Sequence, residues 1–195
     1  CWLNASKMMA SYTDLGGITS NDAGSSWQIS PILENSTYRI LKHTDGKVYA
    51  ATSSIHDLYQ SNRIYDQSID AGTGKVYISN DNGLTFSILK DFAHPVVWIA
   101  TDPTDPSVLY ASVLHSDPSV GGIYKTTNLA SGASATWTKL PNPSRANGHP
   151  FNIHVLKNGD VVATFSARAP TTSSKFEATS GVFYFDKTTQ TWADR

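Results

Sequence analysis

Side chains able to bond, stack on or exchange protons with a ligand are concentrated in a few irregular stretches of this chain. The longest, residues 54–70, holds His56, Asp57, Tyr59 and Arg63. A second centres on Leu114, His115, Ser116, Asp117 and Pro118, and a third, residues 166–177, contains Arg168. Residues 144–150 add Arg145 and His149, and Thr13-Asp14-Leu15-Gly16-Gly17 occupies the matching place near the start. Carboxylates and guanidiniums bond hydroxyl groups, and tyrosine faces stack on sugar rings, so this mixture suits carbohydrate. The substrate-binding candidates are therefore His56, Asp57, Tyr59, Arg63, His115, Arg145, His149 and Arg168. His56-Asp57 and His115-x-Asp117 offer metal ligands, but without a helix-spaced or clustered pattern. No metal or other cofactor is expected. No G-x-S-x-G nucleophile elbow is present.

An internal repeat must position these loops. Ser20-Asn21-Asp22-Ala23-Gly24-Ser25-Ser26-Trp27 matches Ser79-Asn80-Asp81-Asn82-Gly83-Leu84-Thr85-Phe86, both reading S-x-D-x-G-x-[ST]-[WF]. Two weaker copies run from Gly122 to Trp137 and from Gly181 to Trp192. The aromatic anchors Trp27, Phe86, Trp137 and Trp192 stand 59, 51 and 55 residues apart, close to the ~40–50 residues of common propeller repeats plus loop insertions. The motif has a mechanical reading. The aspartate accepts backbone N–H bonds, the glycine supplies positive φ, and the hydroxyls add bonds to the same turn. Ser20, Asp22, Gly24, Trp27, Ser79, Asp81, Gly83 and Phe86 are thus structural candidates. The aromatic is expected to open the next strand and pack between sheets.

Each repeat carries further strands. First strands are expected at 37–41, 96–100 and 151–156, and second strands at 48–51, 108–113 and 161–165. Asp45-Gly46 and Asn158-Gly159 mark hairpin turns between them. Four antiparallel strands per unit make a β-propeller blade. The blade units are expected at about 1–30, 31–92, 93–142 and 143–195. The first unit begins at its second strand, so the chain holds about 3.75 blades of an all-β fold. Propellers close with about four to eight blades. The rest is expected on another chain or on a second copy, unless this is a fragment. In such a blade the repeat turns lie on one face and the irregular loops on the opposite one, where a pocket would open.

Composition narrows the partners. Net charge is −1 and no basic run exceeds two residues, which argues against nucleic acid. No apolar stretch reaches the ~18 residues of a membrane span. The single cysteine, Cys1, excludes a disulfide framework within the chain.

The repeats, together with Thr13-Asp14-Leu15-Gly16-Gly17, resemble the sialidase-like BNR/Asp-box propellers. Within them the chain is most similar to bacterial secreted proteins related to xyloglucanase-type glycoside hydrolases. The resemblance covers nearly the whole chain and implies an extracellular or cell-surface, glycan-related propeller acting on or binding polysaccharide. In those enzymes a T-D-x-G-G segment carries a catalytic carboxylate, which implies Asp14 as general base in an inverting hydrolysis. The acid then comes from a second propeller. Sialidases need an arginine cluster and an early R-I-P segment, which Arg39-Ile40-Leu41 does not match. The resemblance leaves open a non-catalytic propeller that binds protein or glycan, and a structural repeat of a large surface protein.

Overall fold

The computed structural model describes residues 1–60, 64–146 and 149–195. Their strands form four antiparallel sheets. The first has three strands, β1 (Met8–Ala10), β2 (Ile18–Ser20) and β3 (Gln28–Ile29). The second comprises β4 (Ser36–Lys42), β5 (Val48–Ser53), β6 (Lys75–Ser79) and β7 (Ser87–Asp91). The third comprises β8 (Val96–Thr101), β9 (Leu109–Val113), β10 (Gly122–Thr126) and β11 (Thr138–Lys139). The fourth comprises β12 (Pro150–Val155), β13 (Val161–Phe165), β14 (Gly181–Asp186) and β15 (Thr191–Asp194). Every sheet is a meander whose strands pair in chain order. This is the all-β propeller architecture expected, with three four-stranded blades and one of three strands.

Burial follows the stacking of the blades. Every residue of β5 and of β9 is buried, because the second and third sheets are covered on both faces. Strand β13 alternates instead, with Val161, Ala163 and Phe165 inside and Thr164 exposed. One face of the fourth sheet therefore meets the third and the other meets solvent. Between the second and third sheets lie Tyr49, Ala51, Val76, Leu89, Ile99, Leu109 and Ala111. Between the third and fourth lie Tyr110, Ile123, Ile153, Val161, Ala163, Phe183 and Phe185.

The repeat turns close as their residue types dictate. Asp81 Oδ1 accepts the N–H groups of Leu84 and Thr85 at 3.0 and 2.9 Å and the Ser79 hydroxyl at 2.7 Å. Ser79 Oγ in turn accepts the Gly83 N–H at 2.7 Å. Asp22 accepts from Ser26 N and Ser20 Oγ in the same way, both at 2.8 Å, and Ser20 Oγ accepts Gly24 N–H. Positive φ falls on two successive residues, Ala23–Gly24 and Asn82–Gly83, rather than on glycine alone. A Cβ at Gly83 would also lie 2.9 Å from Leu3 and Met9 side-chain atoms, so this turn packs tightly on the neighbouring blade. In the third copy Asn128 takes the aspartate's place. Its Oδ1 accepts Thr136 N–H at 2.9 Å across an inserted 3₁₀ segment, Leu129–Ser134.

The four repeat aromatics differ in burial. Phe86, Trp137 and Trp192 pack against the clusters shared with the preceding sheet. Trp27 precedes β3, has no second sheet packed against it among the described residues, and is 42% exposed. Its Nε1–H instead donates to Gly24 O at 3.0 Å. Ile29, on the same strand side, is 71% exposed.

The first strands of the full blades share a second irregularity. The pairing register shifts between Thr37 and Arg39, between Val96 and Trp98, and between Pro150 and Asn152. The skipped residues Tyr38, Val97 and Phe151 all enter one satellite cluster with Leu58, Ile69 and Leu114 from the long loops. A bulge re-aims a side chain. Here three bulges turn apolar side chains toward the loop face and give the insertions a floor. A short helix absent from the sequence reading, α1 (Asp66–Asp70), lies in the 54–70 insertion.

Candidate functional site

Asp14, His56 and Asp57 converge on the loop face, brought together from the first and second sheets. The loop bearing Asp14 is fastened to the start of β4. Thr37 N–H donates to Tyr12 O at 2.9 Å, Gly16 N–H donates to Asn35 O at 3.0 Å, and the Ser36 hydroxyl donates to Thr13 O. The loop bearing His56 and Asp57 hangs from the bulged Tyr38. The Tyr38 hydroxyl donates to Ile55 O at 2.9 Å and accepts Leu58 N–H at 3.0 Å. Asp57 itself sits at φ 55°, a left-handed conformation an aspartate tolerates better than most residues.

His56 Nδ1 lies 3.1 Å from Asp57 Oδ2 and 3.4 Å from Asp14 Oδ1. Asp57 Oδ1 accepts the Thr13 hydroxyl at 2.7 Å and the Tyr59 hydroxyl at 2.8 Å. Bonds from Thr13, Tyr59 and His56, in that order, hold the Asp57 carboxyl down at about 2. Asp57 is therefore a fixed anion that orients its neighbours and is unsuited to donating a proton. The Asp14 side chain is 65% exposed and contacts only His56 in this cluster. Among the described residues this is the one place where three potential metal donors gather, their ligand atoms within 4.8 Å of one another.

Tyr59, 65% exposed, links the polar cluster to an apolar cleft of about 190 Å³ lined by Leu58, Tyr59, Ile64, Phe151 and Ser166. Carboxylates and an imidazole offer hydrogen bonds beside an apolar cleft on which a ligand's flat face can pack.

The other candidates lie elsewhere. Arg63 is outside the described residues. His149 and Arg168, expected to meet ligand, instead meet Asp66, which is only 8% exposed. His149 Nε2 lies 2.9 Å from Asp66 Oδ1 and Arg168 donates from its NH2 group to Asp66 Oδ2 at 2.6 Å. Burial pushes the Asp66 carboxyl up, but the bonds from His149 and Arg168 outweigh it and hold it at about 2. Asp66 N–H and Gln67 N–H also donate to Ala169 and Pro170 carbonyls, and Tyr65 stacks on Phe176 at 5.3 Å. This set straps the second blade's insertion to the fourth blade's long loop. Arg145 likewise faces protein. It grips Asp194 through Nε and NH2 at 2.8 and 2.9 Å and donates from NH1 to Ser180 O.

His115 pairs with two residues the sequence reading passed over. Its ring meets His94 edge-on at 4.5 Å, and its Nε2 is 3.8 Å from Asp70 Oδ1. Burial first, then the neighbouring His115, lowers the His94 imidazole. No local pattern marks these residues, since Asp70 ends α1, His94 precedes β8 and His115 follows β9.

Similarity to solved structures agrees with the architecture. An ancestral GH74 enzyme superposes on 98% of this chain with a TM-score of 0.71 at 18% identity, over 24% of its own length. A gluconolactonase from Xanthomonas campestris covers 97% with a TM-score of 0.61 at 13% identity, over 58% of its length. An oligogalacturonate lyase in complex with manganese covers 91% at 0.52 and 9% identity, over 46% of its length. The chain thus spans about a quarter to three-fifths of these proteins. At these identities the likeness is one of fold. No protein-family profile matches the sequence. No curated protein matches it either.

Proposed function

We propose that this chain is the glycan-facing part of an extracellular, glycoside hydrolase-like β-propeller, with its ligand on the loop face around Asp14, His56, Asp57 and Tyr59. The observation that carries the reading is the convergence of Asp14 with His56–Asp57 beside the apolar cleft under Tyr59. The aspartate turns are read as Asp-boxes, whose carboxylates serve their own turns. Fold likeness to an ancestral GH74 enzyme supports the class.

Within this reading the face binds polysaccharide, and Asp14 is the general base. An inverting hydrolysis needs a protonated carboxyl about 6.5–9.5 Å from the base. Asp57 is closer than that and is held ionised, so the acid is assigned to a domain outside these four sheets. The exposed outer faces of the first and fourth sheets are read as the places where further blades pack, on another chain or a second copy.

Affinity electrophoresis in gels containing soluble polysaccharides, xyloglucan among them, tests the reading. The chain should be retarded by at least one, and Tyr59→Ala should abolish the retardation. In a protein that includes the acid-bearing domain, Asp14→Asn should remove cleavage while retaining binding. No retardation by any polysaccharide would count against the whole reading, and unchanged cleavage by Asp14→Asn would remove the catalytic part.

A further inference from the structure

A second cavity lies at the other end of the inner strands, on the side of the aspartate turns, and its chemistry is cationic. It measures about 360 Å³ and is bounded by β4, β8 and β12. Arg39, Lys42 and His154 line it, with Leu41 and Ile153 as apolar wall, and the Lys42 ammonium also donates to Leu3 O. No carboxylate contributes to the lining. Asp102 is nearest in sequence, following Thr101 on the rim. Its carboxylate is turned into its own loop, accepting Thr104 N–H and Oγ1–H at 2.8 Å each.

The arginine is held in one attitude. Its guanidinium lies over the Trp98 ring at 4.0 Å from the centroid, and Trp98 Nε1–H donates to Ile153 O at 3.0 Å. One ladder thus runs across all three inner strands and fixes the guanidinium plane. Arg39 Nε is buried and has no hydrogen-bond partner, and among the described residues neither Arg39 nor Lys42 forms an ion pair. A buried guanidinium donor left without an acceptor costs stability unless something fills its need. Its flat, stacked fork matches the paired oxygens of a carboxylate or phosphate.

We infer that this cavity binds the oxyanion of a small acid, with Arg39 as the planar donor, Lys42 as a second cation on the wall, His154 as a further hydrogen-bonding group, and Leu41 and Ile153 against the ligand's body. The site is separate from the loop face and does not depend on the glycan reading.

Isothermal titration of the intact chain with glucuronate, inorganic phosphate and neutral glucose tests this. Glucuronate or phosphate should bind with a stoichiometry of one, and glucose should not. Preference for glucuronate would place a sugar acid there, and preference for phosphate a phosphorylated ligand. Arg39→Gln should weaken the bound anion by about tenfold or more, the loss expected for one charge-assisted contact. Should Arg39→Gln fold poorly, the exposed His154→Gln serves instead and should weaken binding several-fold. Absence of binding by both anions would overturn the inference, as would affinities unchanged in both variants.

Discussion

Asp57 is the more heavily bonded carboxylate of the cluster, with Thr13 and Tyr59 on one oxygen and His56 on the other. Asp14, with its side chain 65% exposed against 18% for Asp57, is the more open carboxylate. The bonding of Asp57 also gives a titration with a definite sign. The folded Asp57 carboxyl lies at about 2, below the ordinary ~3.9 of a free aspartate. Its bonds therefore stabilise the fold above about pH 4, and that contribution is lost as pH falls toward 2. Thr13→Val removes the first of its three donors, so the Asp57 midpoint followed by carboxyl carbon NMR should rise, and an unmoved midpoint would refute the assignment. Asp22, held at about 2 by Ser26 and Ser20, titrates in the same sense, and Asp81 is held lower still by Thr85. Acid unfolding should accordingly begin below about pH 4, and Asp81→Ala should make the protein less heat-stable at pH 7 while reducing the acid dependence. An acid profile identical to wild type would show that this turn is not held by its carboxylate.

At the scale of elements, the bulged first strands connect scaffold to site. Tyr38 leaves the ladder of β4 and clamps the backbone on both sides of His56–Asp57. Tyr38→Phe keeps the ring but strands Ile55 O and Leu58 N, at a cost of about 1–3 kcal/mol. Limited proteolysis should then cut residues 54–60 faster than in wild type, whereas unchanged cleavage would mean the clamp is dispensable. These features were unevenly legible in the sequence. Strands and repeat turns were visible because their signals are local: short runs between turn residues, Asp-Gly and Asn-Gly hairpins, and an aspartate two residues after a serine. The strap was not, because Asp66 meets His149 and Arg168 at separations of 83 and 102 residues. Nothing near Asp66 in sequence announces either partner. A separation of 49 residues likewise hid the role of Arg145, whose carboxylate partner Asp194 lies in the last strand of the fourth sheet. Asp14 and His56 were picked out separately, one by a motif and the other by its loop, and only the fold shows that they touch.

At the scale of the whole molecule, the repeat aromatics of the second, third and fourth blades pack on the blade before them. Trp137 sits on the cluster shared by the second and third sheets, meeting Phe92 edge-on at 5.3 Å, while Trp27 has no such neighbour. One motif position therefore has two energetic values. Trp137→Ala should cost about 3 kcal/mol, and Trp27→Ala less than about 1. Chemical denaturation compares them directly, and equal losses would contradict the stacking direction described. This arrangement also separates the two ends of the inner strands. The loop end carries the Asp14 cluster, and the turn end carries the Arg39 cavity. The central claim is that ligand binds at the loop end. It is tested most directly by recording amide NMR shifts of the chain while adding xyloglucan oligosaccharides or another retarding glycan. The account predicts that the largest shifts fall on residues 13–17 and 55–60 and that Tyr59→Ala removes them. Shifts confined to the aspartate turns around Asp22 and Asp81 would contradict it.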